Sequence, residues 1–117
     1  MEEKKFNLKT SFIEIEYKEQ PSKIFFKEPL FGAQNNAIRK AIGVGGRPDE
    51  VLGREMIALA CIEDAPFDFE KDANGNIRPN EANLNILREL PSSIGNKIID
   101  IATSLTTFEE DLKKNLK

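Results

Sequence analysis

The chain has 117 residues, and 17 Lys and Arg against 20 Asp and Glu give a formal net charge of −3. Hydrophobic residues make up 39% and charged residues 32%, which is typical of one globular domain with a charged surface. The sequence has no histidine, which excludes a histidine general base, a Ser–His or Cys–His nucleophile pair and a His-ligated metal site. Its single cysteine excludes an internal disulfide and a CxxC site.

Charge and hydropathy also narrow the classes of partner. A weakly acidic chain without a basic block predicts no nucleic-acid partner. No apolar run approaches the ~20 residues of a membrane span, so we expect no membrane partner. The start, Met1–Lys5, is followed by no long apolar run, so we expect no secretory signal there.

The N-terminal quarter alternates like a β-hairpin. Residues 12–17 read as a strand with one charged face, and residues 23–27 form a second short β-branched and aromatic run. Between them, Lys18–Ser22 is the expected turn, with Pro21 presetting its φ. The sequence therefore predicts an antiparallel hairpin over about residues 6–28.

From residue 30 the period changes to that of helices. A first amphipathic helix carries Leu30, Ala33, Ala37, Ile38, Ala41 and Ile42, and the glycine-rich run 43–46 ends it. A second helix starts beside Pro48 and two acidic residues, and its apolar face comprises Val51, Leu52, Met56, Leu59, Ala60 and Ile62. The alanines of the first helix predict either ordinary core packing or a shallow groove of small residues.

Residues 64–80 are polar and rich in turn formers, so they predict a long loop with a small hairpin at Asn74-Gly75. A short helix over Glu81–Leu90 follows, with Asn80 as its N-cap, and Pro91 breaks it. The chain is therefore expected to be one domain, residues 1–117, of the α+β class and mostly helical, with an N-terminal hairpin and about four helices.

The last helix is expected to be long and amphipathic, capped by Ser92 or Ser93. Its apolar residues are spaced 4, 3, 4, 3 and 4 apart, which is a heptad stripe: Ile94, Ile98, Ile101, Leu105, Phe108 and Leu112. Two interpretations stay open. The stripe packs on the chain's own core, or its C-terminal half contacts another chain, because the other elements are short and leave part of it uncovered. In the second case the partner-binding residues are Ile101, Leu105, Phe108 and Leu112.

The sharpest local pattern is an EF-hand-like spacing. Glu70, Asp72 and Asn74 stand at loop positions 1, 3 and 5, Gly75 at position 6 and Glu81 at position 12. Glu70 replaces the usual aspartate, and no helix enters the loop. The sequence favours a solvated turn and no metal, with calcium binding by Glu70, Asp72, Asn74 and Glu81 as the alternative.

No arrangement of residues predicts catalysis or a cofactor. The run 43–46 lacks the preceding strand and the Lys-Ser/Thr pair of a phosphate-binding loop. Cys61 lies among apolar residues without a base nearby, which is typical of a buried structural thiol. The carboxylates fall on solvated faces rather than in an acid/base pair. We therefore expect a protein that is not an enzyme.

The order of elements resembles that of the tail assembly chaperones of long-tailed bacteriophages and prophages. A hairpin runs into Lys27–Gly32, two helices follow with Met56–Ala60 in the second, and a Leu90-Pro91 step precedes a last helix near Ser92. The resemblance is one of pattern and covers about residues 12–110.

The resemblance implies a non-catalytic protein of the bacterial cytoplasm that self-associates and binds the tape measure protein or another tail component during assembly. It further implies that a ribosomal frameshift near Leu112–Asn115 can append a longer C-terminal part. A generic protein-binding adaptor, a virion structural component and a calcium-binding module using residues 70–81 remain the alternatives.

Overall fold

The computed structural model describes residues 7–45 and 49–106, and it confirms an α+β fold that is mostly helical. Two strands, β1 (Thr10–Tyr17) and β2 (Gln20–Lys27), form the predicted hairpin. The elements that follow are α1 (Phe31–Gly45), α2 (Glu50–Cys61), a short strand β3 (Ile62–Asp64), α3 (Glu81–Arg88) and α4 (Ser92–Thr106). The buried side chains of the described residues form one hydrophobic cluster between the sheet and the helices.

The hairpin turn lies within the predicted segment Lys18–Ser22, at its first two residues rather than at Pro21. Lys18 and Glu19 form a two-residue turn with φ values of 52° and 62°, the left-handed conformation of the tight turns whose twist matches that of the flanking strands. Pro21 lies within β2, opposite Glu16. The proline is tolerated there because β3 pairs only with Phe25 and Phe26, at the other end of β2.

A third strand was missed from the sequence. Ile62 was expected to continue the apolar face of the second helix, but α2 ends at Cys61 and Ile62 pairs with Phe26 in β2. Asp64 pairs with Phe25, so β3 has one residue more than β2 between these two pairs and forms a bulge. The strand order is β1-β2-β3. Pairing with the buried Phe26 of β2 therefore overrides the local helical pattern.

Helix α2 lies at the centre of the molecule. Asp49 caps it, since its Oδ1 accepts the N–H groups of Val51 at 3.0 Å and of Leu52 at 3.3 Å. Its C-terminal half is buried on most sides, with Met56 and Leu59 fully enclosed. Helices α1, α3 and α4 all pack against α2.

The loop between β3 and α3 is an ordered structure built on backbone and side-chain hydrogen bonds. The predicted small hairpin is present: Lys71 pairs with Ile77, and Gly75 has a φ of 83°. Asn80 caps α3 as expected, with its Oδ1 accepting the N–H of Asn83 at 2.8 Å. Earlier in the loop, the ring of Phe67 meets that of Tyr17 edge-on at 5.1 Å between centroids, which ties the loop to the end of β1.

The step from α3 to α4 differs slightly from the expectation. Helix α3 ends at Arg88 rather than at Leu90, and α4 begins at Ser92. The carbonyl of Pro91 accepts the N–H groups of Ile94 and Gly95. Neither Ser92 nor Ser93 is therefore the N-cap, because both lie inside the helix.

Candidate functional site

The apolar stripe of α4 lies largely inside the molecule. Ile98 and Leu105 are buried, with Ala102 between them, and Ile94 and Ile101 are half-buried against the core. Helix α4 packs on α2 and on the inner face of β1 and β2. Core packing is thus the interpretation that the structure favours for this part of the stripe.

The four residues predicted to bind a partner consequently fall into two groups, Ile101 with Leu105 and Phe108 with Leu112. Leu105 is 6% exposed and Ile101 is half-buried, so in this monomer Leu105 offers almost no surface to another chain and Ile101 offers only part of its own. Phe108 and Leu112 lie outside the described residues. Within the described residues, the more exposed large apolar side chains lie outside α4.

Helix α1 carries Phe31, the most exposed large apolar side chain of the described part, and a second exposed one, Ile42. Phe31 is 79% exposed and Ile42 is 42% exposed, while Ile38 between them is half-buried. Positions 31, 38 and 42 are spaced i, i+7 and i+11, which places them on one face of a helix. We call Phe31, Ile38 and Ile42 the α1 stripe. Leu30, 66% exposed, precedes it directly.

The contact of α1 with α2 leaves Phe31 and Ile42 in solvent and Ile38 partly buried. Among the side chains of α1 that the structure describes, those of Ala37 and Ala41 are buried, and α1 packs against α2. Small side chains bring the two helices close together and direct the larger side chains of α1 elsewhere. The expectation of ordinary core packing therefore holds for Ala37 and Ala41, whereas Ala33 is exposed.

A cleft of about 570 Å³ lies beside the start of α1. Its apolar wall includes Leu30, Ala33 and Ile77, and the loop before α3 supplies polar groups. On its rim, Lys27 Nζ donates to Asn76 Oδ1 at 3.1 Å. The cleft continues the exposed apolar surface of Leu30 and Phe31 toward the loop.

The calcium-like loop uses its side-chain oxygens for internal hydrogen bonds. Asp72 Oδ1 accepts the N–H groups of Asn74 at 2.9 Å and of Asn76 at 3.0 Å. Glu70 Oε1 accepts Asn80 Nδ2 at 3.0 Å. Among residues 7–45 and 49–106, no group of three or more His, Cys, Asp or Glu side chains is placed to hold a metal ion. The bonds of Asp72 and Glu70 are those of a self-supporting turn.

Asn83 is the residue in this region that sequence reasoning missed. Its side chain is fully buried, and Oδ1 accepts the N–H of Glu70 at 2.7 Å. Nδ2 donates to the carbonyls of Glu70 at 2.9 Å and of Arg78 at 2.8 Å. One amide thus fixes both arms of the loop to α3. Nothing in the local pattern distinguishes Asn83 from the exposed Asn85 on the same helix.

Two side chains of the described part have shifted pKa values, and both shifts have structural causes. Burial raises the pKa of the Cys61 thiol from 9.0 to about 12, so it is protonated at neutral pH and a poor nucleophile. The hydrogen bond with Glu55 is the main cause that raises the pKa of Arg88. Arg88 and Glu55 form an ion pair with two hydrogen bonds, at 2.7 and 2.9 Å, which joins α3 to α2.

The comparisons with known proteins add no relative: no protein-family model, no curated protein and no solved structure matches this chain. Within the described residues, every helix is too short or too polar to cross a membrane.

Proposed function

We propose that this protein is a non-catalytic assembly chaperone of the phage tail type, which holds helical segments of a partner chain on the α1 stripe. The observation that carries the proposal is the exposure of Phe31 and Ile42 at helical spacing on one face of α1. An amphipathic helix binds such a face through anchors that repeat every three to four residues.

The partner's class comes from the pattern-level resemblance of residues 12–110 to tail assembly chaperones. The proposed partner is a tape measure protein or another helical tail component, bound in the bacterial cytoplasm, with self-association of the chaperone through the same kind of surface. We place the partner-binding surface on α1 rather than on α4, because Leu105 of α4 is already buried in the core.

The test is coexpression with helical fragments of the tape measure protein encoded in the same genome. We expect the fragments to stay soluble and to copurify with the wild-type chain. The variant Phe31→Asp/Ile42→Asp should lose the fragments, because charge on an apolar contact face opposes its burial. Val51→Asp is the matched control: Val51 is 67% exposed but lies on α2. Equal copurification by both variants would contradict the proposed surface.

Two further observations separate the alternatives. Genes for a tail tube and a tape measure protein beside this one would support the chaperone. Detection of the protein in purified virions would instead support a structural component, since an assembly chaperone leaves the finished particle.

A further inference from the structure

Strand β1 forms an edge of the sheet. The strand order is β1-β2-β3, and no strand within the described residues pairs with the outer side of β1. Its eight residues keep one continuous register with β2, without a bulge. They also contain no proline and no lysine, the residues with which edge strands commonly block the approach of another strand. The edge therefore offers backbone donors and acceptors along its whole length.

The outer face of β1 indicates which side chains suit a neighbouring strand. Phe12 is 50% exposed, and Glu14 and Glu16 are also exposed. In β2, the strand that pairs with β1, Lys23 lies opposite Glu14 and Phe25 lies opposite Phe12. The ammonium group of Lys23 also lies 4.9 Å from the centroid of the Phe12 ring. A cationic side chain thus lies over an aromatic ring on this face, at a position opposite a glutamate.

The inner face of β1 is incompletely covered. Ile13, Ile15 and Tyr17 are half-buried, whereas Ile24 and Phe26 of the neighbouring strand are fully buried. Alternate residues of a strand point to opposite faces, so a further strand beside β1 would lay every second side chain against this inner face. Apolar residues at those positions would complete the burial of Ile13 and Ile15.

From these three observations we infer that the free edge of β1 receives an extended segment of another protein, in which lysine or arginine alternates with apolar residues. The basic side chains lie beside Glu14 and Glu16, and the apolar ones extend the core. A second copy of β1 fits less well, because it brings glutamates to a face that already carries Glu14 and Glu16. The inference concerns a different surface from the α1 stripe and does not depend on the tail assembly proposal.

The experiment uses the full chain and three capped peptides as long as β1, which has eight residues. The first alternates lysine and valine. The second has the same sequence with every lysine and valine nitrogen of the backbone methylated, which removes the backbone donors from both edges of the peptide. The third replaces each lysine by glutamate. Binding is measured by titration calorimetry, and amide hydrogen exchange locates the site.

Matched charge variants test the role of the acidic face. Glu14→Lys/Glu16→Lys reverses the charge beside the edge, and Asp68→Lys/Asp100→Lys makes the same net change at exposed positions on other elements. Circular dichroism checks that both variants are folded. We expect the lysine–valine peptide to bind the wild type with slowed exchange of β1 amides. The first variant should weaken binding by about tenfold, and the second should leave it within about twofold.

Three results would overturn the inference. One is the absence of slowed exchange in β1 at saturating lysine–valine peptide. Another is equal affinity for the N-methylated or the glutamate peptide, since strand addition beside an acidic face requires both backbone bonds and positive charge. The third is protection of β1 that rises with protein concentration in the absence of peptide, which would make a second copy the occupant.

Discussion

Replacing Asn83 by alanine should detach the loop before α3 from the helix that supports it. The amide of Asn83 is fully buried and makes three hydrogen bonds to the backbone, two with Glu70 and one with Arg78. Alanine removes all three bonds at once: the N–H of Glu70 loses its acceptor, and the carbonyls of Glu70 and Arg78 keep only the bonds they accept from the N–H groups of Arg78 and Asn80. The cap from Asn80 uses the backbone N–H of residue 83 and is unaffected.

The expected magnitude follows from these three bonds. Each buried hydrogen bond contributes about 1 kcal/mol net, so the loss is about 3 kcal/mol. The better helix propensity of alanine offsets about 0.5 kcal/mol of that loss. The net change is about 2.5 kcal/mol, a large fraction of the 5–15 kcal/mol that stabilise a typical domain. It corresponds to a fall in the midpoint of thermal unfolding of about 10 °C.

Urea denaturation followed by circular dichroism measures this change, with Asn85→Ala as the matched control. Asn85 lies on the same helix but is exposed, so its replacement should be neutral or slightly stabilising. Hydrogen exchange supplies a local readout, because the N–H of Glu70 loses its acceptor only in Asn83→Ala. If the two variants unfold within about 0.5 kcal/mol of each other, the buried amide does not hold the loop and the reasoning fails.

Three further predictions concern the turn, the thiol and the loop. Lys18→Asn/Glu19→Gly should raise the free energy of unfolding by about 1 kcal/mol, because both native residues have positive φ. Urea titrations measure this change, and no gain in stability would mean that the turn is unstrained. The unfolded Cys61 thiol ionises above pH 9.0 while the folded one stays protonated to about pH 12, so stability falls as pH rises through this window. In this window the free energy of unfolding falls by up to about 1.4 kcal/mol per pH unit, and pH titrations of Cys61→Ala should lack this decrease. Millimolar calcium should leave the melting temperature unchanged, because Asp72 already accepts two backbone N–H groups; a rise would support the calcium alternative instead.

Element ends were predictable wherever one residue type satisfies backbone groups locally. Asn80 caps α3 and Gly75 takes the positive φ of the small hairpin, as their positions in the sequence indicated. Both effects act within a few residues, so no tertiary contact is needed to anticipate them. The turn at Lys18 and Glu19 shows the limit of this reasoning, because the strand pairing imposed left-handed backbone on residues that carry no turn signal.

Contacts between distant segments were not predictable in the same way. Strand β3 has three residues, too few for an alternating pattern, and it forms because Ile62 lies beside the buried Phe26. Asn83 reaches the backbone of Glu70, 13 positions earlier in the chain. In both cases the deciding partner is brought close by the fold, and a local pattern carries no information about it.

The α4 stripe shows how far an apolar pattern determines function. Its spacing correctly indicated a helix with one face to bury, but spacing does not say which surface covers that face. Here α2 and the hairpin cover Ile98 and Leu105, since the sheet and the central helix together form a groove for α4. The first helix had the weaker pattern; among its described side chains Ala37 and Ala41 are buried and Ile38 is partly buried against the core, whereas Phe31 and Ile42 remain exposed. In this chain the apolar side chains that we propose for a helical partner therefore lie on a helix whose described buried residues are both alanines.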